Sequence, residues 1–324
     1  MRAKLSVNIG KIKLKNPVMV ASGTFGYAEE FRDFINLKEL GAIVTKTITL
    51  APRQGNPPPR TCETPCGMLN SIGLENPGLE LFIREKLPLL KKIGAPLIVS
   101  IASEDDPAEF VTLARRLDKI KEVAAIELNI SCPNIKVHSQ KFIVHSKKLR
   151  TTNYELRTKL ISQDHRSTYA VVNSVRRVTN KTLITKLSPN VTDITEIALA
   201  AEKAGSDAVS LINTITGMSI DIKTRRPKIA TLTAGLSGPA IRPVAVRMAW
   251  EVYQKIKIPI IGMGGITDTQ SALEFFIAGA TAISVGTANF INPRVTIEII
   301  EGIKRYLIRN KIKDIKALIG SMKI

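Results

Sequence analysis

With only three cysteines and three histidines in 324 residues, several common chemistries are excluded at the start. Cys62, Cys66 and Cys132 are too few for a disulfide framework, and the gap between Cys62 and Cys66 is not the two-residue spacing of zinc or redox motifs. Those two read as small core or loop residues. His138, His145 and His165 are irregularly spaced, with no cysteine or carboxylate arranged beside them, so no metal site is expected. No apolar run reaches the length of a membrane span without a charge. The opening "MRAKLSVNIGKIKLKNPVMVASG" lacks the uninterrupted apolar core and small-residue cleavage site of a secretory leader, which makes the cytoplasm the default expectation. Acidic residues are the scarcer charge, 28 against 47 basic, for a formal net charge of +19. Such a balance attracts nucleic acid when the charge is clustered. Here the lysines are scattered along the whole chain, and a nucleic-acid partner is not expected.

Against these absences stand eight short β-branched or apolar runs: "PVMVASG" (17–23), "AIVTKT" (42–47), "PLIVSIAS" (96–103), "AIELNIS" (125–131), "TLITKLS" (182–188), "AVSLINT" (208–214), "PIIGMGGI" (259–266) and "AISVGTA" (282–288). Amphipathic stretches at helical spacing separate them, among them 107–121, 168–178, 194–204, 241–256 and 269–278. Strands alternating with helices imply a parallel sheet, and eight such units with nearly continuous apolar strands imply a single α/β domain, a closed (β/α)8 TIM barrel. Residues 48–80 form a long excursion after the second strand, rich in proline and glycine, and read as a structured functional loop.

Active sites of such barrels are built at the C-terminal strand ends. Those ends present Ser22, Lys46, Ser100, Asn129 with Cys132, Lys186, Asn213 with Thr214, the Gly264-Gly265 pair and Gly286-Thr287. Glycines ending the last two strands, with Gly238 ahead of the seventh, let backbone N–H groups approach a phosphate, although glycine also ends strands simply to turn tightly. Lys186 within a strand is costly to bury unpaired, so it either meets an anion such as a flavin mononucleotide or reaches to solvent. Asn70, Asn129 and Asn213 present donors and acceptors suited to a planar, amide-rich ligand, or each caps a turn. Cys132, between a strand and Pro133, is either a buried inert thiol or a base over the barrel mouth.

The motifs "NISCPNIK", "GNPPPRTCETPCGMLNSIGLENPG", "LITKLSPNVTDI", "INTITGM", "AGLSGPAIRPVAVRM", "IPIIGMGGI" and "VGTANF", in that set on one barrel, resemble the catalytic subunits of class 1B dihydroorotate dehydrogenases over nearly the whole chain. The resemblance implies FMN-dependent oxidation of (S)-dihydroorotate to orotate in pyrimidine biosynthesis, with Cys132 removing the C5 proton while hydride passes from C6 to the flavin. It assigns substrate binding to Lys46, Asn70, Ser71, Ile72, Gly73, Leu74, Asn129, Asn213 and Thr214. It assigns FMN binding to Ser22, Lys46, Thr47, Ser100, Asn129, Lys186, Ile212, Gly238, Gly264, Gly265, Gly286 and Thr287. It further implies a homodimer joined, as a heterotetramer, by a second subunit carrying FAD and a 2Fe-2S cluster that delivers electrons to NAD. This chain lacks the cysteines for a cluster of its own.

Two positions depart from that pattern. Ser100 stands where the family usually carries an asparagine near FMN. After Cys132 the family continues with a short glycine-rich segment, whereas residues 136–167 here are longer, glycine-free and strongly basic, and read as a solvated loop insert. Three rival readings stay in view. A class 1A, fumarate-using homodimer shares the barrel. A tRNA dihydrouridine synthase also has an FMN barrel, but needs an RNA-binding domain for which the residues after the barrel are too few. A non-enzymatic paralogue would bind no FMN.

Overall fold

A computed structural model of the chain describes residues 3–103, 106–131 and 161–323. Cys132 and the basic segment as far as residue 160 lie outside the described residues.

The chain begins with an antiparallel hairpin, β1 (Val7–Ile9) and β2 (Ile12–Leu14), which the alternating pattern of the first residues encodes. Eight parallel strands then close on themselves. In chain order these are β3 (Val18–Val20), β4 (Ala42–Val44), β7 (Leu97–Ile101), β8 (Val123–Asn129), β9 (Thr182–Lys186), β10 (Ala208–Leu211), β15 (Ile260–Gly262) and β16 (Ala282–Val285). β16 pairs with β3, Ile283 beside Val18 and Val285 beside Val20, so the sheet has no free edge. The expected (β/α)8 barrel is present, with all eight strands in the expected order.

Most strands are shorter than the apolar runs that announce them. The ladder stops at Val44, Leu211 and Gly262, although the runs continue to 47, 214 and 266. Beyond those points the strands diverge around the mouth, and Lys46, Asn213 and Gly264 leave the ladder to line it.

Between the strands run α1 (Gly78–Leu81), α2 (Leu87–Leu90), α3 (Ala108–Asp118), α4 (His165–Arg176), α5 (Ile194–Lys203), α6 (Arg242–Tyr253), α7 (Thr269–Ala278), α8 (Ala288–Ile291) and α9 (Val295–Arg309). Aspartates start three of them. Asp193 caps α5, Asp268 forms a reciprocal capping box with Ser271 on α7, and Asp164 accepts from the Ser167 amide at 2.8 Å on α4. That last cap corrects the sequence reading, which ran the insert to 167 and began the helix at Thr168. A 3-10 turn over Ile161–Gln163 and the cap at Asp164 start the helix at His165 instead. His165 is therefore a helix residue.

Smaller strands complete the molecule. β5 (Thr61–Thr64) and β6 (Gly67–Asn70), both from the 48–80 excursion, join β14 (Ala234–Ser237) and β11 (Ile215–Gly217) in a four-stranded antiparallel sheet. β12 (Ile220–Asp221) pairs with β13 (Arg226–Pro227). The strand runs alone do not announce this second sheet, because its segments are short and half-exposed.

The core lies in two continuous clusters. One joins the first hairpin to β10, β15, β16 and helices α5 to α9; the other joins β7, β8 and helices α1 to α4. Val7, Ile9 and Leu14 are almost wholly buried in the first cluster, and Lys11 N–H donates to Thr182 Oγ1 at 3.0 Å at the start of β9. The hairpin therefore closes the end of the barrel opposite the mouth. Truncating Ile9 to alanine is expected to cost about 2–5 kcal/mol in chemical denaturation, since a buried branched side chain leaves a cavity. The exposed neighbour variant Asn8→Ala should stay within about 0.5 kcal/mol of the parent.

Candidate active site

The C-terminal ends of the strands and the four-stranded sheet enclose one cavity of about 660 Å³. That is a volume suited to a cofactor-sized ligand. Ser22, Lys46, Thr47, Asn129, Lys186, Ile212, Asn213, Thr214, Gly238, Gly264, Gly265, Gly286 and Thr287 all line it. So do Asn70, Ser71, Ile72, Gly73 and Leu74, carried there because β6 pairs with β14 and places Asn70 beside Gly235. Asn70 Nδ2 donates to the Gly235 carbonyl at 3.2 Å, which anchors the excursion to the other side of the mouth.

One of the expected residues stands elsewhere, and one is not described. Ser100 is fully buried and does not reach the cavity wall; its hydroxyl lies 2.9 Å from that of Thr47, which does. Cys132 lies outside the described residues, immediately after Ser131.

The polar floor is a single hydrogen-bonded chain. Asn213 Nδ2 donates to Ser131 Oγ at 2.6 Å, Ser131 Oγ donates to Asn129 Oδ1 at 3.0 Å, and Asn129 Nδ2 donates to Thr47 Oγ1 at 3.2 Å. Thr47 also meets the hydroxyls of Ser22 and Ser100, each at 2.9 Å. The chain thus ties the ends of five barrel strands together, and each member restricts the rotamer of the next. A second link holds the neighbouring loop: Asn190 Nδ2 donates to the Thr214 carbonyl at 3.0 Å while its Oδ1 accepts from Thr216 N–H at 2.9 Å.

Two cations face this floor. Lys186 is 5% exposed and its ammonium makes no hydrogen bond or ion pair with a described residue, and Lys46 is half-buried. Burial holds the Lys46 ammonium below the ordinary lysine value; Glu75 partly restores it and Arg60 adds to the lowering. Both side chains are donors without acceptors among the described residues, in a wall where an unpaired cation is costly.

On the far rim, Gly264 and Gly265 take positive φ values of +124° and +72°, and a Cβ on Gly265 would lie 2.7 Å from the Arg242 Cβ. Only glycine suits that turn. Gly286 differs: its φ is unexceptional, and a Cβ there would meet nothing closer than 3.7 Å. Packing does not require glycine at that position, so the missing side chain leaves room in the cavity itself. The amides of Gly265 and Gly286 make no hydrogen bond to a described residue. Thr287 Oγ1 donates to Ser237 Oγ at 2.8 Å, which joins this rim to the antiparallel sheet.

Several lining residues escaped the strand-end reading. Ser131 and Asn190 lie inside the quoted motifs "NISCPN" and "LSPN", so their positions beside Asn129 and Lys186 were available as a signal. Asn56, which donates to the Ser71 carbonyl and hydroxyl at 3.0 and 2.8 Å, and Ser237 also lie inside quoted motifs, but on the antiparallel sheet and its approach, away from the strand ends.

Comparison with known proteins gives a consistent result. Residues 4–307 match the profile of the family described as dihydroorotate dehydrogenase. The chain is 50% identical over 320 residues to the dihydroorotate dehydrogenase B (NAD(+)) catalytic subunit of Thermoanaerobacter pseudethanolicus, covering 99% of each chain. It is 51% identical over 322 residues to the protein of the same description from Trichlorobacter lovleyi, again covering 99% of each. With that of Thermodesulfovibrio yellowstonii the identity is 52% over 319 residues, covering 98% of this chain and 99% of the relative. A match of this extent across the barrel, the antiparallel sheet and the cavity that both enclose shows that the chain belongs to the dihydroorotate dehydrogenase family.

Proposed function

We propose that this chain is the catalytic subunit of an NAD-linked, class 1B dihydroorotate dehydrogenase, oxidising (S)-dihydroorotate to orotate in pyrimidine biosynthesis. The observation that carries the reading is the continuous chain from Asn213 through Ser131 and Asn129 to Thr47, flanked by two cations without partners, in one cavity.

The residues present fit FMN. A phosphate matches the space left at Gly286 and the unpartnered amides of Gly265 and Gly286, since backbone N–H groups bind anions where no side chain intervenes. The buried Lys186 supplies the cation that an electron-accepting ring requires. Ser22, Thr47, Asn129, Ile212, Gly238, Gly264 and Thr287 would complete the walls, with Ser100 acting through Thr47. Bound FMN supplies the two-electron acceptor for the hydride leaving C6.

The remaining chemistry belongs to the chain. Substrate is a planar ring of amides bearing a carboxylate, so it needs both donors and acceptors. Asn70, Asn129 and Asn213 offer both from their amides, Thr214 adds a hydroxyl, and Lys46 offers a charge-assisted donor. The Ser71–Leu74 backbone covers the same side. Cys132 is the base at C5: it follows Ser131, whose hydroxyl belongs to the floor, and a thiol becomes a serviceable base once the site assists proton loss. The proton leaves C5 as the hydride leaves C6, and the ring double bond forms between them.

The names of the relatives, each a catalytic subunit, support a partner subunit that carries electrons onward to NAD. FAD and a 2Fe-2S cluster are assigned to that subunit, because three cysteines cannot furnish four thiolate ligands. Among the described residues, no helix is long and apolar enough to cross a membrane.

Anaerobic mixing with dihydroorotate should bleach the visible flavin absorbance of the purified protein; an unchanged spectrum overturns the proposal. Turnover should then require NAD together with the partner subunit, whereas steady turnover with fumarate alone would place the chain in class 1A. Cys132→Ser is expected to retain its flavin spectrum while losing about 10²- to 10⁴-fold in turnover near neutral pH, the usual worth of a positioned base. Thr47→Val removes the hub of the floor and leaves buried polar partners unpaired, a change expected to cost about 1–3 kcal/mol, read as weaker FMN binding in fluorescence titration.

A further inference from the structure

Among the described residues only two buried side chains carry a formal charge: Glu127, 2% exposed, and Lys186, 5% exposed. They are of opposite sign and on adjacent strands, β8 and β9. Lys186 stands in register with Asn129 on one side and with Ser210 on the other. Glu127 is two residues before Asn129, one layer deeper in the barrel, and its Oε2 accepts from the Ser210 hydroxyl at 3.0 Å. Its carboxyl group therefore reaches toward the layer of Lys186 from below. Its other oxygen, Oε1, is buried and has no hydrogen-bond partner.

Neither group belongs to an ion pair with a described residue, yet each would be costly to bury alone. We propose that Glu127 is the counter-charge of Lys186, held by Ser210 at a distance that preserves the cation without occupying its N–H donors, and that it thereby tunes the reduction potential of the bound flavin. The inference rests on the FMN reading of the cavity.

A contact salt bridge would direct the ammonium downward and consume the hydrogen bonds that the cofactor needs. Separation avoids this. Coulomb interaction falls only as the inverse of distance, and the barrel interior screens far less than water, so the two charges still compensate each other beyond 4 Å. The residues around Glu127 are apolar or hydroxylic: Ser100 and Ile184 stand in register with it on the adjacent strands, and among the described residues its side chain is hydrogen-bonded by Ser210 alone. No other described charge is buried with Lys186. With both present, the two buried charges offset each other before the cofactor enters, and the negative charge gained by the ring on reduction is balanced by Lys186 against the opposing field of Glu127. Glu127 is thus a positioning and tuning residue that touches neither substrate nor cofactor.

Thermal unfolding of FMN-free protein tests the pairing, and redox titration of FMN-loaded protein tests the tuning. Glu127→Gln and Lys186→Met should each lower the melting temperature of the FMN-free chain, while the double variant should melt above both, because removing the two charges together leaves none uncompensated. An insoluble Glu127→Gln beside a folded double variant gives the same result. Additive losses, or a double variant no more stable than the weaker single one, overturn the pairing. In loaded Glu127→Gln, reduced FMN should be held at least tenfold more tightly relative to oxidised FMN than in the parent, a positive shift of about 30 mV for a two-electron couple. A ratio unchanged within threefold overturns the tuning role, since a purely structural glutamate would leave it unmoved. Failure of the parent to take up FMN would overturn the functional reading instead, and would leave the unfolding cycle of the FMN-free chain intact.

Discussion

Pairing of Val18–Val20 with Ala282–Val285 closes the parallel sheet, and the cavity exists because of that closure. Eight parallel strands in a ring must all end on the same side, so residues far apart in the chain, Ser22, Lys46, Asn129, Lys186, Asn213 and Gly286 among them, arrive at one rim. The first hairpin completes the arrangement by filling the opposite end with Val7, Ile9 and Leu14. Water is kept from the barrel interior on that side, and polar groups concentrate at the other.

Closure also sets the electrostatic conditions. The same packing that excludes water makes an unpaired polar group expensive, so the mouth is built as a connected chain rather than as isolated side chains. Thr47 is its centre, bridging Ser22, Ser100 and Asn129. Ser100 supports it from outside the cavity: its short hydroxyl stays behind the wall and meets that of Thr47. Among the described residues, Lys46 and Lys186 are donors that this network leaves unsatisfied. Rigid walls with free donors are what a pre-organised anion site requires.

Much of the candidate site was legible because strand ends are easy to locate. Apolar runs ending in lysine, asparagine or glycine announce both an element and its functional terminus, which is how Lys46, Asn129, Lys186 and Gly264 were identified. The glycine positions had a further signal in the turn that only glycine suits at Gly265. Residues on the antiparallel sheet were harder. Ser237 enters the cavity through the pairing of β14 with β6, segments more than a hundred residues apart, and local pattern carries no information about such pairing; Asn56 is held by Ser71, within the same excursion. The start of α4 was misplaced for a different reason: the cap at Asp164 sits in a polar stretch without apolar periodicity, and only its hydrogen bond to Ser167 marks it.

What the sequence determined by itself is the barrel, its strand order and the chemical character of each strand end, because alternation of apolar runs with helical periods depends on neighbours along the chain. The ordered motifs added the family. Tertiary structure alone decided which polar groups satisfy one another. That Asn213 reaches Ser131, that Ser100 withdraws behind Thr47, and that Glu127 and Lys186 are the two buried charges among the described residues are facts about packing in space. Hydrogen bonding and burial act through space, and only the closed barrel brings those residues within range.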